Sequence, residues 1–184
     1  WGAQWNLSQL WTLAYPEYMS EYVSSHIQAY KDAGWLADGL ANNRYVSGVG
    51  TNLLSTIIAG AYQCGIRDFD TKLAYEACLK NELDGKDRPF GAGKVNTAEF
   101  VKYGYVPHQD QGEGYHETFM FSASHTLEYS YSAWAVAQWA KSLGDTENYD
   151  KLMNLSKGWE RLYDTSCNFI RPAHFSGKLR MPVS

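Results

Sequence analysis

The stretch SASHTLEYSYSAWAVAQWAKSLG, Ser122 to Gly144, decides the fold class. Its apolar positions Leu127, Tyr131, Trp134, Ala135, Val136 and Trp139 recur at helical spacing and cover more than one face, which implies a long helix in a central place, stopped by Gly144. The segments around it read the same way. Upstream, a short helix capped by Asn96 or Thr97 ends at Gly104, and the exposed connection Asp84 to Lys94 precedes it. Asp70 caps a helix through Leu73, Ala74, Ala77 and Leu79, and Leu53, Leu54, Ile57, Ile58 and Ala61 make a strongly apolar helix stopped by Gly65. Nearer the start, Leu7, Leu10, Trp11 and Ala14 stand at i, i+3, i+4, i+7, and Pro16 ends that run and opens the next. Met19, Tyr22, Val23, Ile27 and Tyr30 form the stripe of this second helix, which reaches Gly34. Downstream, Asp145 to Tyr163 reads as a last helix carrying Leu152, Leu155, Trp159 and Leu162.

No stretch sustains a period-2 alternation bounded by hairpin signals, so the fold is expected to be all-α, with the Gly- and Asn-rich span from Gly34 to Gly50 a loop of a length that often carries function. No fixed period of repeats is visible, which disfavours a solenoid and leaves a helical toroid.

Composition narrows the function. The 184 residues carry 16 Lys and Arg against 20 Asp and Glu, for a net charge of −4, with no basic cluster. A nucleic-acid or anionic-membrane partner therefore lacks its electrostatic footprint. No apolar run approaches the roughly 18 residues that cross a bilayer. The 7 Trp, 14 Tyr and 7 Phe amount to 15% of the chain, a load suited to stacking on flat ligand faces such as those of sugars. Cys64, Cys78 and Cys167 are odd in number and lack C-x-x-C spacing, so neither a disulfide framework nor a thiolate zinc site is expected. All three read as buried or half-buried packing residues.

Several strings, in order, resemble glycoside hydrolase family 92, the calcium-dependent exo-acting α-mannosidases. Thr126-Leu127-Glu128-Tyr129-Ser130-Tyr131 with Trp134, Ala137, Gln138, Ala140, Lys141, Leu143 and Gly144 is similar to the family's T-L-E-Y-A-Y-D-D-W…A-Q-x-A-K-x-L-G. Gly104-Tyr105-Val106-Pro107 stands before it, Ile58-Ala59, Ala61-Tyr62, Gly65-Ile66-Arg67 and Phe69-Asp70 before that, and Phe169 with Arg171-Pro172 after it. The resemblance spans essentially the whole chain, so residues 1–184 are expected to form part of one catalytic domain, with no second domain. It implies helical hairpins forming about half of an (α/α)6 barrel, the remaining helices and a preceding β-sandwich domain lying elsewhere in the protein. It further implies a secreted or periplasmic hydrolase that removes terminal α-linked mannose from glycans with inversion. Such chemistry needs one carboxylic acid to protonate the departing oxygen and one carboxylate to activate water, roughly 6.5–9.5 Å apart. The family's acid lies in an E-G-N-x-x-Q string and its base in a G-N-D/E-D-x-G-Q string, and neither occurs here. The implied calcium, which would take hard oxygen ligands, is therefore expected to be held mostly outside this segment, which alone should be inert.

Acidic residues of the family pattern are replaced in three strings, at four positions. W-D-T-F-R reads Trp5-Asn6-Leu7-Ser8-Gln9, G-D-H reads Thr51-Asn52-Leu53, and the D-D pair reads Ser132-Ala133. These replacements motivate the alternative of a non-catalytic helical module that binds glycan or protein. The candidate substrate-binding residues are Trp5, Asn6 and Glu128. Trp5 either stacks on a sugar or anchors the first helix, and Asn6 either bonds a hydroxyl or caps that helix. Glu128, on the most apolar helix, either faces a cavity or pairs with Lys or Arg, the pair being preferred. Asn52 reads as a helix cap rather than a ligand. His108, His116 and His125 with Asp110, Glu113 and Glu117 match no metal-binding spacing and read as loop residues.

Overall fold

The structure is a computed structural model that describes residues 2–42, 44–47, 49–110 and 117–181. A 3-10 turn, Gly2–Trp5, leads into helix α1 (Leu7–Ala14), and α2 (Pro16–Ala33) follows after one residue. Tyr15 at the junction, with φ −140° and ψ 59°, is outside the helical region, which proline disfavours for the residue before it. Gly34 ends α2 in the left-handed conformation at φ 74°, and Gly144 ends α6 (Ser122–Leu143) in the same way. Between lie α3 (Leu54–Gln63), α4 (Thr71–Leu83) and α5 (Thr97–Tyr103), and α7 (Thr146–Leu155) follows α6. Asp70 and Asp145 cap α4 and α7 by accepting the backbone N–H of Leu73 and Asn148.

The helices pair as α1 with α2, α3 with α4 and α6 with α7, and α6 also packs on α3 and α4. Fully buried Ala59, Ala74, Ala77, Ala133 and Ala137 line these contacts and let the backbones approach closely. Trp139 fills the core between them, stacked on Tyr62 at 4.5 Å and tilted against Tyr75 at 5.3 Å. The molecule is mostly helical, as the sequence implies, and agrees with part of a helical barrel.

Four expectations need correction. The connection Asp84 to Lys94 is exposed only in its first part, since residues 91–94 are buried and Lys94 is drawn into the core by Glu82. The loop from Gly34 to Gly50 holds a small hairpin, β1 (Gly39–Ala41) with β2 (Arg44–Val46), too short to show an alternating pattern. The last helix stops at Leu155. A 3-10 turn, Gly158–Leu162, then leads into a second hairpin, β3 (Tyr163–Asp164) with β4 (Phe169–Ile170). In that turn Gly158 packs so closely against the end of α5 that a Cβ there would collide with the Gly104 carbonyl oxygen. Finally, Cys64 and Cys167 are exposed and only Cys78 is buried. On α6, Tyr131 and Trp134 are also half exposed, stacked on each other at 6.4 Å and continuous with exposed Leu127. These belong to an apolar flank, not to the core around Trp139.

Candidate functional site

A cavity of about 550 Å³ opens where the first 3-10 turn, α2, the segment around β1, the start of α3 and the first turns of α6 meet. Trp5 stands at its rim, 71% exposed, on a turn held by its neighbours. The Gln9 side-chain amide donates to the Gln4 carbonyl at 2.8 Å, and the Ser8 hydroxyl donates to it at 3.4 Å. Gln9 thus occupies the position where the family pattern has Arg and uses its amide to fix the turn that presents Trp5.

Glu128 projects from α6 into the same cavity, half-buried. Burial raises its carboxyl above the ordinary carboxylate range, and the positive charge of Lys94 opposes that rise. The preferred structural pair is not formed. Lys94 bonds Glu82 instead, and Glu128 makes no ion pair among the described residues. Asn6 sits at the N-terminal boundary of α1, exposed, makes no side-chain capping bond and is not among the residues lining the cavity. The structure therefore brings Trp5 and Glu128 together and leaves Asn6 outside the lining.

Asn52 is neither a cap nor a ligand. Buried at φ 40°, it donates from its side-chain amide to the carbonyls of Leu36 and Gly93 and pins three segments together. Ser132 and Ala133 are fully buried, Ser132 bonding Glu82 and Lys94, so two of the replaced acidic positions lie in the core rather than at the cavity.

Sequence reasoning missed Asp38, His26 and His125 as parts of this cavity. Both Asp38 carboxylate oxygens accept backbone N–H groups, from Gly50 at 3.0 Å and Asn52 at 3.1 Å. His125 is buried between Phe121 and Tyr129, with rings stacked at 5.4 and 5.6 Å. Burial lowers its pKa to about 4, and burial lowers that of His26 to about 4 as well. The one signal in the sequence that pointed here was the unusual length of the Gly34–Gly50 loop, from which Asp38, Leu40 and Val49 all reach the cavity.

The other histidine expectations divide. His108 contacts Asp110 at 3.2 Å, in a cluster with His174 and Arg180 near the last hairpin. His116 and Glu113 lie outside the described residues, as does the side chain of Glu117. Among the described residues no group of three or more His, Cys, Asp or Glu could hold a metal ion. A calcium ion takes six to eight oxygens, several of them usually carboxylate, and the carboxylates lining the cavity are Glu128 and an Asp38 group that already accepts two backbone amides, beside the neutral oxygens of Gln4, Thr51 and Ser124. The described carboxylates by themselves do not make up a calcium site.

The sequence profile of the glycosyl hydrolase family 92 catalytic domain matches residues 1–184. The chain belongs to this family. An uncharacterized secreted glycosidase of Arthroderma benhamiae is 30% identical over 91% of this chain. The solved structure of the family 92 inverting mannosidase of Bacteroides thetaiotaomicron superposes on 96% of the chain with a TM-score of 0.82 at 25% identity. A second family 92 α-mannosidase from that organism, solved in complex with mannoimidazole, superposes on 97% with a TM-score of 0.72 at 22% identity, which speaks to the fold. The chain spans 23% of the length of the Arthroderma relative and of the inverting mannosidase, and 22% of the other.

Proposed function

We propose that this chain supplies part of the catalytic domain of a secreted α-mannosidase that releases terminal mannose from glycans with inversion, in a calcium-dependent reaction. The acid, the base and the calcium ligands would lie outside the described residues, in the rest of a protein that also carries a β-sandwich domain. The observation that carries the reading is a single cavity, in a family 92 chain, that presents an exposed indole and a half-buried carboxylate together. In this reading Trp5 stacks on the apolar face of a sugar ring and Glu128 accepts hydrogen bonds from its hydroxyls. His26 and His125, neutral near pH 7, offer a ring N–H or a ring nitrogen but no charge. No described helix is long and apolar enough to cross a membrane.

The test is mannose release from α-mannosides by the full-length protein, with and without EDTA. Activity that EDTA abolishes, and that falls about ten- to a hundredfold in kcat/KM in Trp5→Ala and Glu128→Gln, is the expected result. A folded full-length protein with no mannosidase activity would return the question to a non-catalytic module. The burial of Ser132 and Ala133 weakens that alternative, because their replacement leaves the cavity lining untouched.

A further inference from the structure

We propose that the cavity accepts uncharged glycan termini and rejects those bearing phosphate, sulfate or carboxylate, because of the charge its walls present. The inference rests on the reading of the cavity as a sugar site. Two carboxylates face it, Asp38 from the segment before β1 and Glu128 from α6. No Lys or Arg lines it among the described residues, and the residues outside that set include neither type. The histidines do not compensate. With values of about 4, His26 and His125 carry little positive charge at neutral pH.

Lys94, the cation whose charge bears on Glu128, is held away from any ligand. Its ammonium is about 1% exposed, ion-paired with Glu82 and bonded to Ser132. Asp38 is fixed by the amides of Gly50 and Asn52, which orient the group without cancelling its formal charge. Much of the remaining wall, including Leu40, Val49, Leu53 and Ile57, is apolar and lowers the local dielectric, and its other polar groups, Gln4, Thr51 and Ser124, are uncharged. A hydroxyl-rich neutral sugar donates hydrogen bonds to such carboxylates, whereas an anion sheds its hydration only to meet two like charges. The same two groups therefore attract one class of terminus and exclude the other.

The test compares three probes on the full-length protein by calorimetry at pH 7: mannose, 6-O-acetylmannose as a neutral control for bulk, and mannose 6-phosphate. The phosphate is expected to bind at least about tenfold more weakly than the acetyl ester at low salt, with the gap narrowing at high salt and in Glu128→Gln. Glu128→Lys should close it further. Equal binding of phosphate and ester, or a gap unchanged by salt and by Glu128→Gln, overturns the selectivity while leaving the sugar site standing. If none of the three probes binds, the sugar reading itself fails and the selectivity with it.

Discussion

Replacing Lys94 by Met tests the buried polar network behind the cavity. The Lys94 ammonium lies 2.5 Å from Glu82 Oε2, and both side chains are about 1% exposed. It also donates to Ser132, while Glu82 accepts further bonds from Ser132 at 2.6 Å and from Ser55. Met preserves most of the volume, so the change is chiefly electrostatic and leaves a buried carboxylate without its cation. Removing one partner of such a pair typically costs about 3–5 kcal/mol, whereas replacing both by apolar residues is often neutral. Two hydroxyl donors remain on Glu82, which places the expected loss near about 3 kcal/mol. For a domain of this size each kcal/mol moves Tm by about 2–4 °C, so a fall of about 6–12 °C is expected. Lys94→Met combined with Glu82→Leu should return to within about 1.5 kcal/mol of the parent, a coupling that a double-mutant cycle by urea unfolding measures through tryptophan fluorescence. A single variant costing under about 1 kcal/mol, or a double variant no better than the single, would refute the account of the network as a mutually dependent pair.

Three further outcomes are expected. His26 and His125 titrate at about 4 when folded against an ordinary 6.5, so between those values the unfolded chain binds protons that the fold does not. Stability is full above about pH 6.5 and is lost as pH falls toward 4, by up to about 3 kcal/mol for the deeply buried His125. Urea midpoints at pH 7 and 4.5 should differ accordingly, and His125→Phe should reduce the difference. Asn6→Ala should cost under about 0.5 kcal/mol by the same assay, because Asn6 makes no capping bond. Titration with a thiol reagent should find Cys64 and Cys167 reactive in the native protein and Cys78 only after unfolding, since Cys78 is fully buried and burial raises its thiol pKa well above normal.

The helices were legible because their limits are local. Pro16 lacks the amide that would continue α1, Gly34 and Gly144 take a left-handed conformation that other residues resist, and Asp70 reaches the third amide beyond it. The ordered strings that resemble family 92 were likewise present in the chain itself, and the profile match bears that resemblance out. The site was less legible. Asp38 sits in a loop with no periodic signature, and its role appears only when Gly50 and Asn52 fold back to bind it.

The charges on α6 and around it divide the two levels most clearly. Periodicity placed Glu128 on a long apolar helix and showed that an unpaired carboxylate there would be costly. It could not choose the partner, because Lys94, on the connection before α5, meets Glu82 of α4 and Ser132 of α6 through tertiary packing that no local pattern encodes. That contact takes the available cation into the core and leaves Glu128 facing the cavity beside Trp5, residues 123 positions apart in the chain. Local stereochemistry decided the helices and where they stop, whereas the pairing of buried charge and the assembly of the cavity were decided by tertiary packing, because both depend on distances between residues remote in sequence.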